Sequence, residues 1–191
     1  MPDLINSPKI SIVGGKSLQL ATELGISSVA LDDCDLALFL VSATDGIVSA
    51  DLENWRHARE LYIPSLVIIC DLLTSEIDFE DMSAIASKML DPVVTPFLVL
   101  HSDAGTPAAL INLETLKVID YTQKSPVERP ADPEHIELVA EFRAEYLEAL
   151  LDTGEESFQA GLMFPAIPWI EGTRMGLDQI APYLNQVPVL G

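Results

Sequence analysis

Leu36-Ala37-Leu38-Phe39-Leu40-Val41 is an unbroken apolar run, and Leu66 to Cys70 is a second one. A strand with one face in water alternates apolar and polar residues. A strand covered on both faces reads as continuous apolar sequence, as in a parallel sheet with helices on either side. What lies between and around the two runs fits that arrangement. Asp51 to Tyr62 is predicted helical, with Leu52, Trp55, Ala58 and Leu61 or Tyr62 on one stripe, and Pro64 ends it. Upstream, Lys9 to Val13 reads as a short strand followed by Gly14-Gly15. Lys16 to Leu24 then reads as a helix with apolar residues at 18, 20, 21 and 24, stopped by Gly25. Downstream, Thr44-Asp45-Gly46 is a turn, and Glu76 to Leu90 is an amphipathic helix carried by Phe79, Met82, Ile85 and Met89. This alternation predicts an α/β fold on a parallel sheet with right-handed crossovers.

The texture changes after Asp91. Phe97 to Leu100 and Leu116 to Ile119 are strand-like, around a small-residue loop from Ser102 to Ala109. Thr122 to Pro133 is proline-rich and polar and reads as a linker. Asp132-Pro133 has the form of a helix start, with Asp as N-cap and Pro at the first helical position. The helix is expected to run to about Asp152, to bury Ile136, Val139, Phe142, Tyr146 and Leu150, and to be capped by Gly154. Met163 to Ile170 is apolar but broken by Pro165 and Pro168. Leu177 to Leu184 is a last short helix, interrupted by Pro182.

Charge narrows the partners. The chain has 30 acidic and 10 basic residues and a formal net charge of −20. Phosphate backbones are held through Lys and Arg with release of counterions, so direct nucleic-acid binding is not expected. A protein with a basic surface is the expected partner. No apolar run reaches the ~18 residues that a membrane span needs, and Met1-Pro2-Asp3-Leu4 lacks the basic flank of a signal peptide. Cys34 and Cys70 have no metal-type spacing and cannot build a disulfide framework. A cytoplasmic setting, with no membrane contact, is therefore expected.

Taken in order, several of these segments resemble the G domain of translation elongation factor G. They are Gly46, then Trp55-Arg56-His57-Ala58, then Ile63-Pro64, with matching spacing. Asp91 to Leu98 resembles the opening of that family's inserted subdomain, and Asn112 to Asp120 its second strand pair. Phe164-Pro165-Ala166-Ile167 is similar to its last core strand, and Gly176-Leu177 to the start of its last helix. The likeness covers roughly residues 35 to 185. It implies a parallel-sheet P-loop GTPase-like core, residues 1–90 and 158–191, with a small inserted α+β subdomain at residues 91–157.

The departures concern chemistry. The phosphate loop of such domains is G-x-x-x-x-G-K-S/T, whose amides and Lys wrap the phosphates while the hydroxyl binds Mg²⁺. Val13-Gly14-Gly15-Lys16-Ser17 has the tail of that motif, but Ile10 stands at the first Gly position and the loop is about four residues short. Gly25 to Cys34 leaves no room for a switch segment, and Asp32-Asp33 has no Gly at the required spacing. In a second register, Lys9 to Gly15 would be the family's magnesium-side strand and turn, again without its Asp. The guanine-reading motif Asn-Lys-x-Asp falls on Cys70-Asp71-Leu72-Leu73, where Leu73 replaces the base-pairing Asp. Glu171 falls where a backbone amide should meet the base.

Gly15, Lys16 and Ser17 remain the candidate phosphate-binding residues, since a helix start with a Lys favours an anion. No catalytic residue, no metal site and no resident cofactor are expected, although GTP with Mg²⁺ is what Lys16 and Ser17 would hold. His57 with Glu53 is expected to be a solvent-facing pair, and Asp51, Glu53 and His57 a poor metal set. His101-Ser102-Asp103 has catalytic residue types but no recognisable partner. His135 is expected at the surface, Cys34 and Cys70 as small core fillers, Trp55 in the core, and Trp169 partly exposed as a contact surface. The expected function is that of a catalytically silent G domain acting as a protein-interaction or regulatory module. Two alternatives stand beside it. One is a guanine-nucleotide binder with little hydrolysis. The other is an unrelated α/β enzyme with a pocket near Ser42, Thr44 and Asp71.

Overall fold

The computed structural model describes residues 7–154 and 156–187. Its core is a five-stranded, wholly parallel sheet. The strands are β1 (Ile10–Val13), β2 (Leu36–Ser42), β3 (Ser65–Cys70), β4 (Val93–Val94) and β9 (Phe164–Pro168). Their order is β1-β2-β3-β9-β4, so the last strand in sequence slots between β3 and β4, pairing Val67 with Ala166 and Val93 with Phe164.

The two apolar runs are the two strands buried deepest, and their alternation sorts side chains between two cores. Leu36, Leu38, Leu40, Leu66 and Ile68 join Ile167 on one face, under Leu20 of α1 (Ser17–Leu24) and Ile180 of α6 (Leu177–Leu184). Ala37, Phe39, Val41, Val67 and Ile69 point the other way, onto α2 (Ser49–Glu60) and α3 (Phe79–Met89). Full burial of each Leu or Ile contributes roughly 1.5–3 kcal/mol, so this doubly covered sheet dominates stability. Trp55 of α2 sits between the rings of Phe39 and Phe164, edge-on at 5.0 and 5.1 Å. The Arg59 guanidinium stacks 4.7 Å from Trp55 and 4.2 Å from Phe164. It also donates to Gly161 O, Ile63 O and Ser65 Oγ at 2.9, 2.6 and 2.6 Å.

Between β4 and β9 the chain builds a second, antiparallel sheet, β5-β6-β7-β8. Its strands are β5 (Phe97–His101), β6 (Pro107–Asn112), β7 (Lys117–Asp120) and β8 (Val127–Pro130). Two helices follow, α4 (Pro133–Leu138) and α5 (Ala140–Thr153). Val93–Val94 belongs to the main sheet, and the second sheet begins at Phe97.

Several local expectations are corrected here. The expected linker contains β8, which pairs with β7 from Lys117↔Pro130 to Asp120↔Val127; its residues are exposed, so no apolar signal marks it. Pro107 to Ala109, expected in a loop, opens β6. The long helix breaks at Val139, whose φ of −97° and ψ of 4° end α4. Asp132 caps nothing with its side chain and accepts from Arg129 at 3.0 Å instead. Of the expected buried stripe, Val139 and Tyr146 are buried, while Ile136 and Phe142 stay 39% and 42% exposed. α2 starts at Ser49, before Asp51, whose side chain accepts from the Val48 N–H at 3.0 Å. α3 starts at Phe79 because Asp78 is its N-cap and accepts from the Asp81 N–H at 2.8 Å. β9 forms despite its two prolines; they lie near its ends, and the Trp169 N–H carries the ladder on to Ile69 O at 2.9 Å. No helix among the described residues is long and apolar enough to cross a membrane.

Candidate functional site

In open α/β sheets, ligands bind beyond the carboxyl ends of the strands. Four chain segments meet there: Gly14 to Lys16 after β1, Ser42 at the end of β2, Asp71 after β3, and Glu171 shortly after β9. The β1–α1 connection is three residues long, since β1 ends at Val13 and α1 begins at Ser17. The Ser17 N–H donates back to Gly14 O at 3.3 Å, which closes the turn on itself. Gly14 has φ +122°, and a Cβ there would lie 2.8 Å from both Leu40 Cβ and Leu40 O. The loop is thus pressed against β2, leaving no slack to wrap a polyphosphate.

Lys16 projects from this turn and its ammonium is clasped by Asp71 and Glu171. The Lys16 side chain is 36% exposed and the two carboxylates 16% and 15%. The Ser42 hydroxyl donates to the other Asp71 oxygen at 2.6 Å. The Asp71 N–H donates to Glu171 at 3.3 Å. Asp71 has φ +63°, a left-handed conformation that Asp tolerates better than most residues. Burial alone would lower the Lys16 pKa, but the bonds and charges of Asp71 and Glu171 outweigh it and raise it. Burial would raise the Asp71 pKa, yet the Lys16 and Ser42 hydrogen bonds hold it below the ordinary carboxylate value.

A cavity of about 390 Å³ opens beside the clasp, with Gly15, Lys16, Ser42, Asp45, Asp51 and Asp71 in its wall. Among the described residues Lys16 is its one cation and is neutralised twice over, so the field in the cavity is negative and opposes a polyphosphate. Donor atoms of Cys70, Asp71 and Glu171 lie within 4.8 Å of one another. Burial, with the Asp71 charge, pushes the Cys70 thiol up to about 12. The Lys16 ammonium is bonded to both carboxylates of this group.

Of the candidate phosphate residues, Gly15 and Lys16 line the cavity and Ser17 does not. Ser42 and Asp71 line it as the enzyme alternative expects, but Thr44 does not; its hydroxyl lies 3.5 Å from that of Thr74. In the sequence Glu171 stands out only as an obstacle to a base. Its partnership with Lys16, 155 positions away, carries no local signal. His57 pairs with Asp32 rather than with Glu53. The Ser102 hydroxyl is bonded to that of Thr106 at 2.9 Å, within the β5–β6 turn. Trp169, expected to be partly exposed, is 0% exposed, and its indole donates to Glu23 at 3.1 Å.

The crystal structure of a protein from Thermus thermophilus is similar, with a TM-score of 0.73 and 24% sequence identity over 83% of this chain. This chain spans 27% of the length of that protein. The likeness shows the fold, an α/β architecture with a parallel five-stranded sheet. No protein-family model matches the chain, and no characterised protein matches its sequence.

Proposed function

We propose that the chain is a catalytically silent G domain of the elongation-factor-G kind, acting as a protein-interaction or regulatory module in the neighbourhood of translation. The observation that carries this reading is the clasp of Lys16 by Asp71 and Glu171 behind a three-residue loop. In a working domain the phosphate-loop Lys must be free to meet the β- and γ-phosphates. Here two carboxylates would have to be displaced first, and a triphosphate would enter a negative site without an amide cradle. The acidity of the chain supports a partner with a basic surface. Calorimetric titration with GTP, GDP and ATP in the presence of Mg²⁺ tests the proposal. No heat up to millimolar nucleotide is the expected result. Micromolar binding of GTP or GDP, abolished by Lys16→Ala, would overturn it in favour of a nucleotide binder.

The cavity beside Ser42 and Asp71 favours one competing reading, an α/β enzyme of another kind. Against it, the Ser42 oxygen is already committed. It donates to Asp71 and accepts the Thr44 and Asp45 N–H groups at 3.2 and 3.0 Å, which is the bonding of a turn-stabilising serine rather than of a nucleophile with a base.

A further inference from the structure

A second cavity, of about 470 Å³ and with a lining of its own, lies where the inserted sheet leans on the loop between β9 and α6. Its volume is within the range of sites that enclose small organic ligands, which are mostly apolar with a few placed polar groups. One wall comes from the insertion, through Pro107, Tyr121 and Lys124; the other comes from the core, through Arg174, Met175 and Leu177.

Both walls are held in place. The Ile170 N–H donates to Met175 O at 3.1 Å, and the Thr173 hydroxyl donates to Ile170 O at 2.8 Å. Gly176 has φ +98°, and a Cβ there would lie 2.5 Å from Pro168 O, so the loop is packed flat on β9. On the facing wall, the Gln179 amide donates to the Tyr121 hydroxyl at 2.8 Å and fixes the ring. Pre-set walls avoid the ordering cost that a mobile site would add to binding.

Charge then selects the ligand. Glu23 also lines the cavity, but its oxygens are taken by the Trp169 indole at 3.1 Å and the Gly172 N–H at 3.0 Å. Arg174 is forked onto Asp178. The ion pairs among the described residues leave Lys124 out. Lys9, Arg56, Arg59, Lys88 and Arg143 stand outside those pairs too, but Lys124 is the one of these bases in the wall of this cavity, beside Pro107, Tyr121 and Leu177. Leu177 is the first residue of α6, so the positive end of that helix dipole also lies at the wall.

We infer that this cavity is a binding site for a small organic anion with a flat apolar body, its anionic group on Lys124 and its ring against Tyr121. The site does not depend on the absence of nucleotide binding at Lys16, since the two cavities share no lining residue. A ligand there would touch core and insertion together and so fix the insertion against the core.

Isothermal calorimetry with naphthalene-1-sulfonate, and with the uncharged 1-naphthalenemethanol, tests the inference on the full chain. Saturable sub-millimolar binding of the sulfonate is expected, with amide shifts in a ¹⁵N NMR spectrum centred on residues 172–175 and Lys124. Lys124→Glu is expected to weaken the sulfonate about tenfold while leaving the alcohol within about twofold. Leu177→Trp, which fills the cavity, should abolish both with thermal stability retained; if that variant unfolds, the Lys124 comparison and the shift map still decide. Excess GTP should displace neither. Absence of saturable binding, shifts centred elsewhere, or equal losses for both probes in Lys124→Glu would overturn the proposal. Displacement by GTP would merge the two sites and overturn it as well.

Discussion

Replacing Lys16 with Met tests whether the clasp is an energetic feature of the fold. The substitution keeps the length of the stem and removes the ammonium that Asp71 and Glu171 share. Buried charge-assisted bonds contribute ~1.5–3 kcal/mol each, but exposed pairs only ~0.2–1. With Lys16 about a third exposed, roughly 1 kcal/mol per contact is the reasonable value after solvent screening. Removal also leaves two carboxylates with donor atoms within 4.8 Å of each other, a repulsion of about 1 kcal/mol even at the dielectric constant of water. The sum is about 3 kcal/mol at pH 7, or a fall of roughly 6–12 °C in Tm for a chain of this size. The pH dependence carries the sign. Asp71 has a lowered pKa in the fold, so its contribution is present above the unfolded value of about 3.9 and is lost as pH falls through the folded value. Lys16 has a raised pKa, so its contribution is present below about 10.4 and is lost as pH rises through the folded value. The wild-type clasp is therefore complete between about pH 4 and pH 10. In the variant the neighbouring negative charge favours protonation of Asp71, so its deficit is greatest at neutral pH and shrinks toward pH 4. Urea unfolding followed by circular dichroism at pH 4.5 and 7 measures both terms. A deficit under about 0.5 kcal/mol at pH 7, or one that does not change with pH, would refute the reasoning.

Other substitutions probe separate features. Arg59→Ala removes three donated hydrogen bonds and the stacking on Trp55 and Phe164; a loss of about 3–5 kcal/mol in chemical denaturation is expected, and a loss under ~1 kcal/mol would show that the guanidinium is dispensable. Asp78→Ala should cost about 1 kcal/mol, because it caps α3, whereas Asp132→Ala, which caps nothing, should stay within ~0.5 kcal/mol. Equal effects of the two on Tm would contradict the capping assignment. Gly176→Ala places a Cβ 2.5 Å from Pro168 O at φ +98° and should lower stability by more than ~2 kcal/mol, read from the thermal midpoint; an unchanged midpoint would mean that the loop yields.

The main sheet was legible because its signal is local. Unbroken apolar runs at 36–41 and 66–70 state burial on both faces without reference to any distant residue, and Gly25, with φ +69°, states its own helix end. What escaped depended on pairing across the chain. β8 is a strand only because Lys117 to Asp120 offers it an edge; its own residues are polar and exposed. Trp169 reads as exposed because prolines precede it, whereas Glu23 on a different element accepts its N–H and permits full burial. The same holds at the site. Gly15 and Lys16 are marked by the phosphate-loop remnant, but the meaning of Lys16 is set by Asp71 and Glu171, which the sequence scatters and the carboxyl ends of β3 and β9 reunite.

The position of β9 has a consequence for how the molecule is made. Val67 and its neighbour Ala166 are separated by about 100 residues, so during synthesis at ~5–20 residues per second the place of β9 beside β3 stays vacant for roughly 5–20 s. Until β9 arrives, β3, and β4 once it has been made, each present an unpaired edge, the kind of surface on which foreign strands recruit. The incoming strand carries Pro165 and Pro168, neither of which can donate to a ladder. A strand with two missing donors is a weak template for promiscuous pairing, yet once enclosed it loses little, because Ala166 and Ile167 keep their donors and side-chain packing holds the rest. Prolines that look like interruptions in the sequence thus protect the strand that closes the sheet last, in the slot between β3 and β4.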